Sequence, residues 1–69
     1  MKFKEFLEVL DPDTSVEICI RVENIPFSVK VSADSWLKEE YSSFWDLEII
    51  TVYVLDYVLR IKLKGNAKL

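Results

Sequence analysis

The sequence contains no histidine, one cysteine (Cys19), one glycine (Gly65) and two prolines (Pro12 and Pro26). Each scarcity removes a class of chemistry. Without histidine the commonest general base is missing, and a zinc site of nitrogen and sulfur ligands cannot be assembled. A single thiol closes no intramolecular disulfide. A single glycine near the end builds no glycine-rich phosphate loop. No run reaches the roughly 20 apolar residues that span a bilayer, because the most apolar one, Leu47 to Leu59, is cut by Glu48, Thr51 and Asp56. The opening Met1-Lys2-Phe3-Lys4-Glu5-Phe6 alternates charge with aromatics and has no secretory h-region. A lone reduced thiol fits a reducing compartment. The expected location is the cytoplasm, and no membrane contact is expected.

What is present is apolar. In 69 residues, 51% are hydrophobic and 13% aromatic. A chain this short buries only about 60% of the surface its unfolded form exposes, so residues 1–69 hold one core and one domain, stabilised by dense packing or by association. The net charge of −3 works against unassisted nucleic-acid binding, which needs a basic surface to displace counterions.

Periodicity sets the elements. Phe3, Phe6, Leu7 and Leu10 fall on one helical stripe, which should stop at Asp11-Pro12 because proline disfavours helix in the residue before it. From Ser15 the period becomes two, with Val16, Ile18, Ile20 and Val22 on one face and Glu17, Cys19, Arg21 and Glu23 on the other. Asn24-Ile25-Pro26 reverses the chain, and Phe27, Val29 and Val31 alternate with Ser28, Lys30 and Ser32 in a second strand. Ser32 or Asp34 can cap a second helix over about residues 33 to 41. Ser42-Ser43 breaks it, leaving Phe44 and Trp45 to tuck beneath the connection.

Leu47 to Leu55 is apolar on both faces, Leu47, Ile49, Tyr53 and Leu55 on one and Ile50, Val52 and Val54 on the other, which predicts a strand buried on both sides. Asp56-Tyr57 turns the chain into a last strand, with Leu59, Ile61 and Leu63 against Arg60, Lys62 and Lys64. Gly65 to Leu69 reads as a frayed tail. The expected fold class is α+β: a two-layer sandwich in the order α-β-β-α-β-β, with a four-stranded, mainly antiparallel sheet and two short helices on one face.

No catalytic constellation emerges. Cys19 lies mid-strand between Glu17 and Arg21 and reads as a small half-buried filler rather than a nucleophile. Ser42-Ser43 has neither a glycine elbow nor a histidine partner. Asp11-Pro12-Asp13 is a turn without the spacing of a calcium loop, and adjacent Glu39 and Glu40 point about 100° apart on a helix. No metal or cofactor is expected, and the chain reads as a non-enzyme.

Charge is uneven along the chain. Residues 31 to 56 carry Asp34, Glu39, Glu40, Asp46, Glu48 and Asp56 against Lys38, whereas residues 57 to 69 carry Arg60, Lys62, Lys64 and Lys68 with no acid. Asp34, Glu39, Glu40, Asp46 and Glu48 are candidate partner-binding residues, able to imitate phosphates in a partner's groove; the plainer reading is a solubilising surface. If the helices cover the Val16, Ile18, Ile20 and Val29 face, then Cys19, Ile50, Val52, Val54 and Val58 are left toward water as a candidate self-association surface for a homodimer. The alternative is that the first helix crosses to cover them.

The opening Phe6-Leu7-Glu8-Val9-Leu10-Asp11-Pro12-Asp13-Thr14-Ser15-Val16-Glu17-Ile18 and the closing Tyr57-Val58-Leu59-Arg60-Ile61 resemble a group of small uncharacterised proteins encoded by bacteriophages and mobile elements of Gram-positive bacteria. The resemblance covers both ends of the chain and brings no functional residues with it. It implies a protein that binds a host protein, as inhibitors of the anti-CRISPR kind do, in the host cytoplasm. Three expectations follow: a protein-binding module with a protein partner, a self-associating structural subunit, or a weak nucleic-acid binder using Arg60, Lys62 and Lys64 with Tyr57.

Overall fold

The computed structural model describes residues 1–67. Seven elements follow one another: α1 (Phe3–Leu7), β1 (Ser15–Val22), β2 (Ile25–Ser32), α2 (Ala33–Trp36), a 3-10 helix (Glu39–Phe44), β3 (Ile49–Leu55) and β4 (Val58–Ala67). The four strands form one sheet in the order β2-β1-β4-β3. Both hairpins are antiparallel, and the two middle strands, β1 and β4, run parallel. The helical segments form the second layer, so the α+β two-layer sandwich is the observed architecture.

The core lies between the layers. Val16, Ile18 and Ile20 of β1 and Ile61 and Leu63 of β4 are buried against Phe3 and Leu7 of α1, Ala33 and Trp36 of α2, and Phe44. Trp36 is its centre: its ring stands edge-on to Phe3 at 5.6 Å and to Phe44 at 5.8 Å, and Tyr41 leans on it at 4.6 Å. Such edge-to-face pairs add about 0.5–1.5 kcal/mol beyond area burial. Phe44 tucks beneath the connection as expected, whereas Trp45 is only half-buried, donating its indole N–H to the Trp36 carbonyl at 2.8 Å while the Lys4 ammonium sits 4.5 Å above its ring.

Several boundaries differ from expectation. α1 is a single turn and a half, started by the Glu5 carboxylate, which accepts from the Lys2 amide at 2.9 Å. The second helix is split, because Lys38 is extended (φ −76°, ψ 148°), and two short turns bring Trp36, Tyr41 and Phe44 to the same spot. The first reversal is at Glu23-Asn24, with φ of 51° and 68°, and Pro26 belongs to β2. Gly65 to Ala67 are no tail: they continue β4, with Gly65 at φ 93° where the β1–β4 register shifts. The rest of that expected tail, residues 68 and 69, lies outside the described residues.

The prediction of a strand buried on both sides is overturned. β3 is a sheet edge, half-exposed at Ile49 and exposed from Ile50 to Leu55. No helix among the described residues is long and apolar enough to cross a membrane.

Candidate interaction surface

The β3–β4 register decides which way β3 faces. Val52 is opposite the buried Ile61 and Val54 is opposite Leu59, so both valines lie on the helix-covered side of the sheet. They are nonetheless 38% and 68% exposed, because β3 lies beyond the reach of the helical layer. Thr51, Tyr53 and Leu55 lie on the open side, opposite Lys62, Arg60 and Val58. The register shifts between Ile49 and Thr51, which makes Ile50 the extra residue of a bulge.

The candidate self-association set is therefore divided. Cys19 and Val58 belong to the open face, Val52 and Val54 to the helical side, and Ile50 to the bulge between them. A continuous period of two would have kept Ile50, Val52 and Val54 together on the face of Cys19. The bulge resets the phase, and one inserted residue exchanges the faces of everything after it.

Backbone groups follow the same geometry. Asp56 and Tyr57 both have positive φ (53° and 64°) and form a two-residue turn between Leu55 and Val58. In such a turn the flanking residues are hydrogen-bonded to each other, and the pairs alternate from there. Leu55, Tyr53 and Thr51 thus spend their N–H and C=O groups on β4. Val54 and Val52 point theirs off the sheet. Before the bulge the phase is opposite: the Glu48 carbonyl accepts from the Lys64 amide on the β4 side, whereas the Ile49 amide donates to the Met1 carbonyl on the outer side. Residues 1–3 therefore cover the outer edge at Leu47–Ile49, with the Phe3 amide donating to the Leu47 carbonyl, and the edge is open only from Ile50 onward.

That open edge contains no charge, proline or glycine. The opposite edge, β2, carries Pro26 and Lys30, two devices that discourage strand addition. The contrast is between a guarded edge and an unguarded one.

The acidic candidates divide as well. All five are exposed. Asp34 lies in α2, where it accepts from the Ser32 hydroxyl at 2.8 Å, and Glu39 and Glu40 open the 3-10 helix. Asp46 and Glu48 lead into β3, and Lys2 reaches both: its ammonium donates to the Asp46 carbonyl at 3.0 Å and lies 3.6 Å from the Glu48 carboxylate. The N-terminal ammonium donates to Glu48 at 3.2 Å, and this bond, the charge behind it and then Lys2 hold the Glu48 carboxyl below its ordinary value.

The open sheet face is basic. One rung runs Lys30, Glu17, Arg60, Tyr53, and the next Ser28, Cys19, Lys62, Thr51. Glu17 is the lone acid of these two rungs and is 3.0 Å from Arg60. Cys19 also borders a cleft of about 520 Å³ with Arg21, Phe27, Lys62 and Leu63, opened where the β1–β4 register shifts. Sequence reading found these residue types but missed the edge, since strand order is not written in periodicity. No protein-family model, curated protein or solved structure matches the chain.

Proposed function

We propose that this chain is a non-enzymatic protein-binding module that works by strand addition at the free edge of β3. The observation that carries this reading is an exposed, uncharged β-branched strand whose Val52 and Val54 backbone groups point off the sheet, on a molecule whose other edge is guarded. An unpaired edge of this kind is a liability unless it is used. The resemblance to phage and mobile-element proteins extends the proposal to a partner: a host protein that the chain inhibits or adapts, in the host cytoplasm. The exposed Asp34, Glu39 and Glu40 would steer a basic partner toward it and speed association more than they tighten it.

The nucleic-acid reading has a narrower footing. Arg21, Lys30, Arg60 and Lys62 share the open face, but Arg60 is engaged by Glu17 and the whole chain is acidic.

Co-purification from a host lysate, comparing wild type, Val54→Pro and the double variant Glu39→Gln/Glu40→Gln, tests the proposal. Proline at 54 removes an outward N–H without touching the β4 ladder. A partner kept by wild type and by the double variant but lost with Val54→Pro supports strand addition. A partner kept by Val54→Pro and lost with the charge variant sinks it.

A further inference from the structure

The edge geometry also selects a resting occupant, one that a partner's strand would displace, an inference that rests on the strand-addition reading. We infer that β3 pairs antiparallel with β3 of a second copy about a two-fold axis at Tyr53, joining two sheets of four strands into one of eight.

Three observations converge on this pairing. First, the open edge is bounded at both ends: Met1 occupies the outer side of Ile49, and the chain turns away at Asp56-Tyr57. A strand laid on this edge has only the stretch from Ile50 to Asp56 to use, and Tyr53 is the middle of it. Second, hydrogen bonding permits one register. An axis at Tyr53 places Val52 opposite the second copy's Val54 and Val54 opposite its Val52, so every outward-pointing pair meets another. An axis at Val52 sets Val54 against the bulged Ile50, and an axis at Val54 sets Val52 against Asp56 in the turn. Either one leaves outward groups without a partner.

Third, charge and apolar surface are complementary at that register. The second copy's Asp56 comes opposite Ile50, next to the Lys2 ammonium and the N-terminal ammonium that gather at Glu48. Antiparallel symmetry makes the same contact twice. Between these charged ends the strand is neutral, and the four valines, Val52 and Val54 from each copy, close over one another on the helical side. The two Tyr53 rings meet on the open side as a non-hydrogen-bonded aromatic pair, with Cα atoms about 4.5 Å apart. A two-fold axis also closes the assembly, because both free edges are consumed and β2 remains guarded.

The test uses the purified full-length chain. Sedimentation equilibrium from micromolar to millimolar concentration should show the mass rising from one chain to two and no further. In step with that rise, amide exchange at Val52 and Val54 should slow at least tenfold, while Tyr53 should change little because its amide is already spent on β4. Val54→Pro should remain folded by circular dichroism and weaken association at least tenfold.

A cross-link reads the register without depending on that variant's stability. In a Cys19→Ser background, Tyr53→Cys in an oxidised-glutathione buffer should form a covalent dimer, two thiols yielding one disulfide as glutathione disulfide is reduced. Val54→Cys, offset from its own copy by about 7–8 Å, should not. A monomer at millimolar concentration overturns the inference. So does a dimer whose Val52 and Val54 amides exchange freely, or equal cross-linking at 53 and 54. A monomer leaves strand addition to a different protein standing, and that reading falls separately if Val54→Pro retains the lysate partner.

Discussion

The indole N–H of Trp36 donates to the main-chain carbonyl of Val16 at 3.0 Å, inside the core. A fully buried ring thus finds a partner on β1 for its own N–H, so the helical layer is fastened to the sheet by direction as well as by area.

Trp36→Phe keeps most of the apolar contact and removes the indole hydrogen bond, while the Val16 carbonyl keeps its place in the ladder opposite Val31, so the cost is about 1 kcal/mol. Trp36→Ala adds a cavity and costs about 3–5 kcal/mol, which equals what a core of this size supplies. Urea titration should show Trp36→Phe folded with a lower midpoint and Trp36→Ala unfolded. A fully folded Trp36→Ala would show that the aromatic cluster is not the centre of the fold.

Glu17 and Arg60 form a half-buried pair on the basic face, with Lys30 directly across from Glu17. Removing the two partners should have unequal effects. Glu17→Gln leaves Lys30, Arg60 and Lys62 repelling one another, whereas Arg60→Gln leaves Glu17 with lysines to either side. Glu17→Gln should therefore destabilise more, by about 1 kcal/mol relative to Arg60→Gln, and 1 M salt should narrow the gap. Equal thermal midpoints at low salt would contradict this account.

Glu48 predicts a pH dependence. Its carboxyl lies below the ordinary 4.5 in the folded chain, chiefly because the N-terminal ammonium hydrogen-bonds to it. A depressed folded value means that the contribution is complete above 4.5 and fades as pH falls through the lower, folded value. Melting curves on the acid side should lose less stability in Glu48→Gln than in wild type. The effect is small because the group is exposed, and superimposable acid profiles would refute it.

Tyr57 is fully exposed and held at φ 64° in a turn that glycine fills more readily. Tyr57→Gly should raise stability by about 0.5–1 kcal/mol and the melting temperature by a few degrees, since a left-handed non-glycine residue costs roughly 1–2 kcal/mol and glycine returns part of that as chain entropy. A fall in melting temperature would mean that the ring has a packing role within the monomer.

The inward stripes of β1, β2 and β4 are legible because each is a simple alternation with one wet face, and that of α1 because it repeats at helical spacing. Val16, Ile18, Ile20, Ile61 and Leu63 are buried where period two puts them. β3 was misread for a physical reason: apolar residues on both faces mark a strand covered by other layers, and they equally mark an edge that awaits a partner. The bulge at Ile50 hid the second half of the answer, because an inserted residue leaves no mark in composition yet turns Val52 and Val54 to the other side. The parallel β1–β4 pairing was also invisible, since it joins distant parts of the chain.

That parallel pairing orders events in time. Each hairpin is local and can zip within microseconds. The β1–β4 ladder waits for the chain to bring Val16 beside Leu59, a closure whose entropy must be met before the buried rings lock. Until then the β3–β4 hairpin, marginal on two strands alone, has both rims bare, that of β4 toward β1 as well as the outer one of β3, and either can be captured by whichever strand arrives first. Slow refolding at high protein concentration therefore invites mispaired chains, and dilution during renaturation should raise the yield.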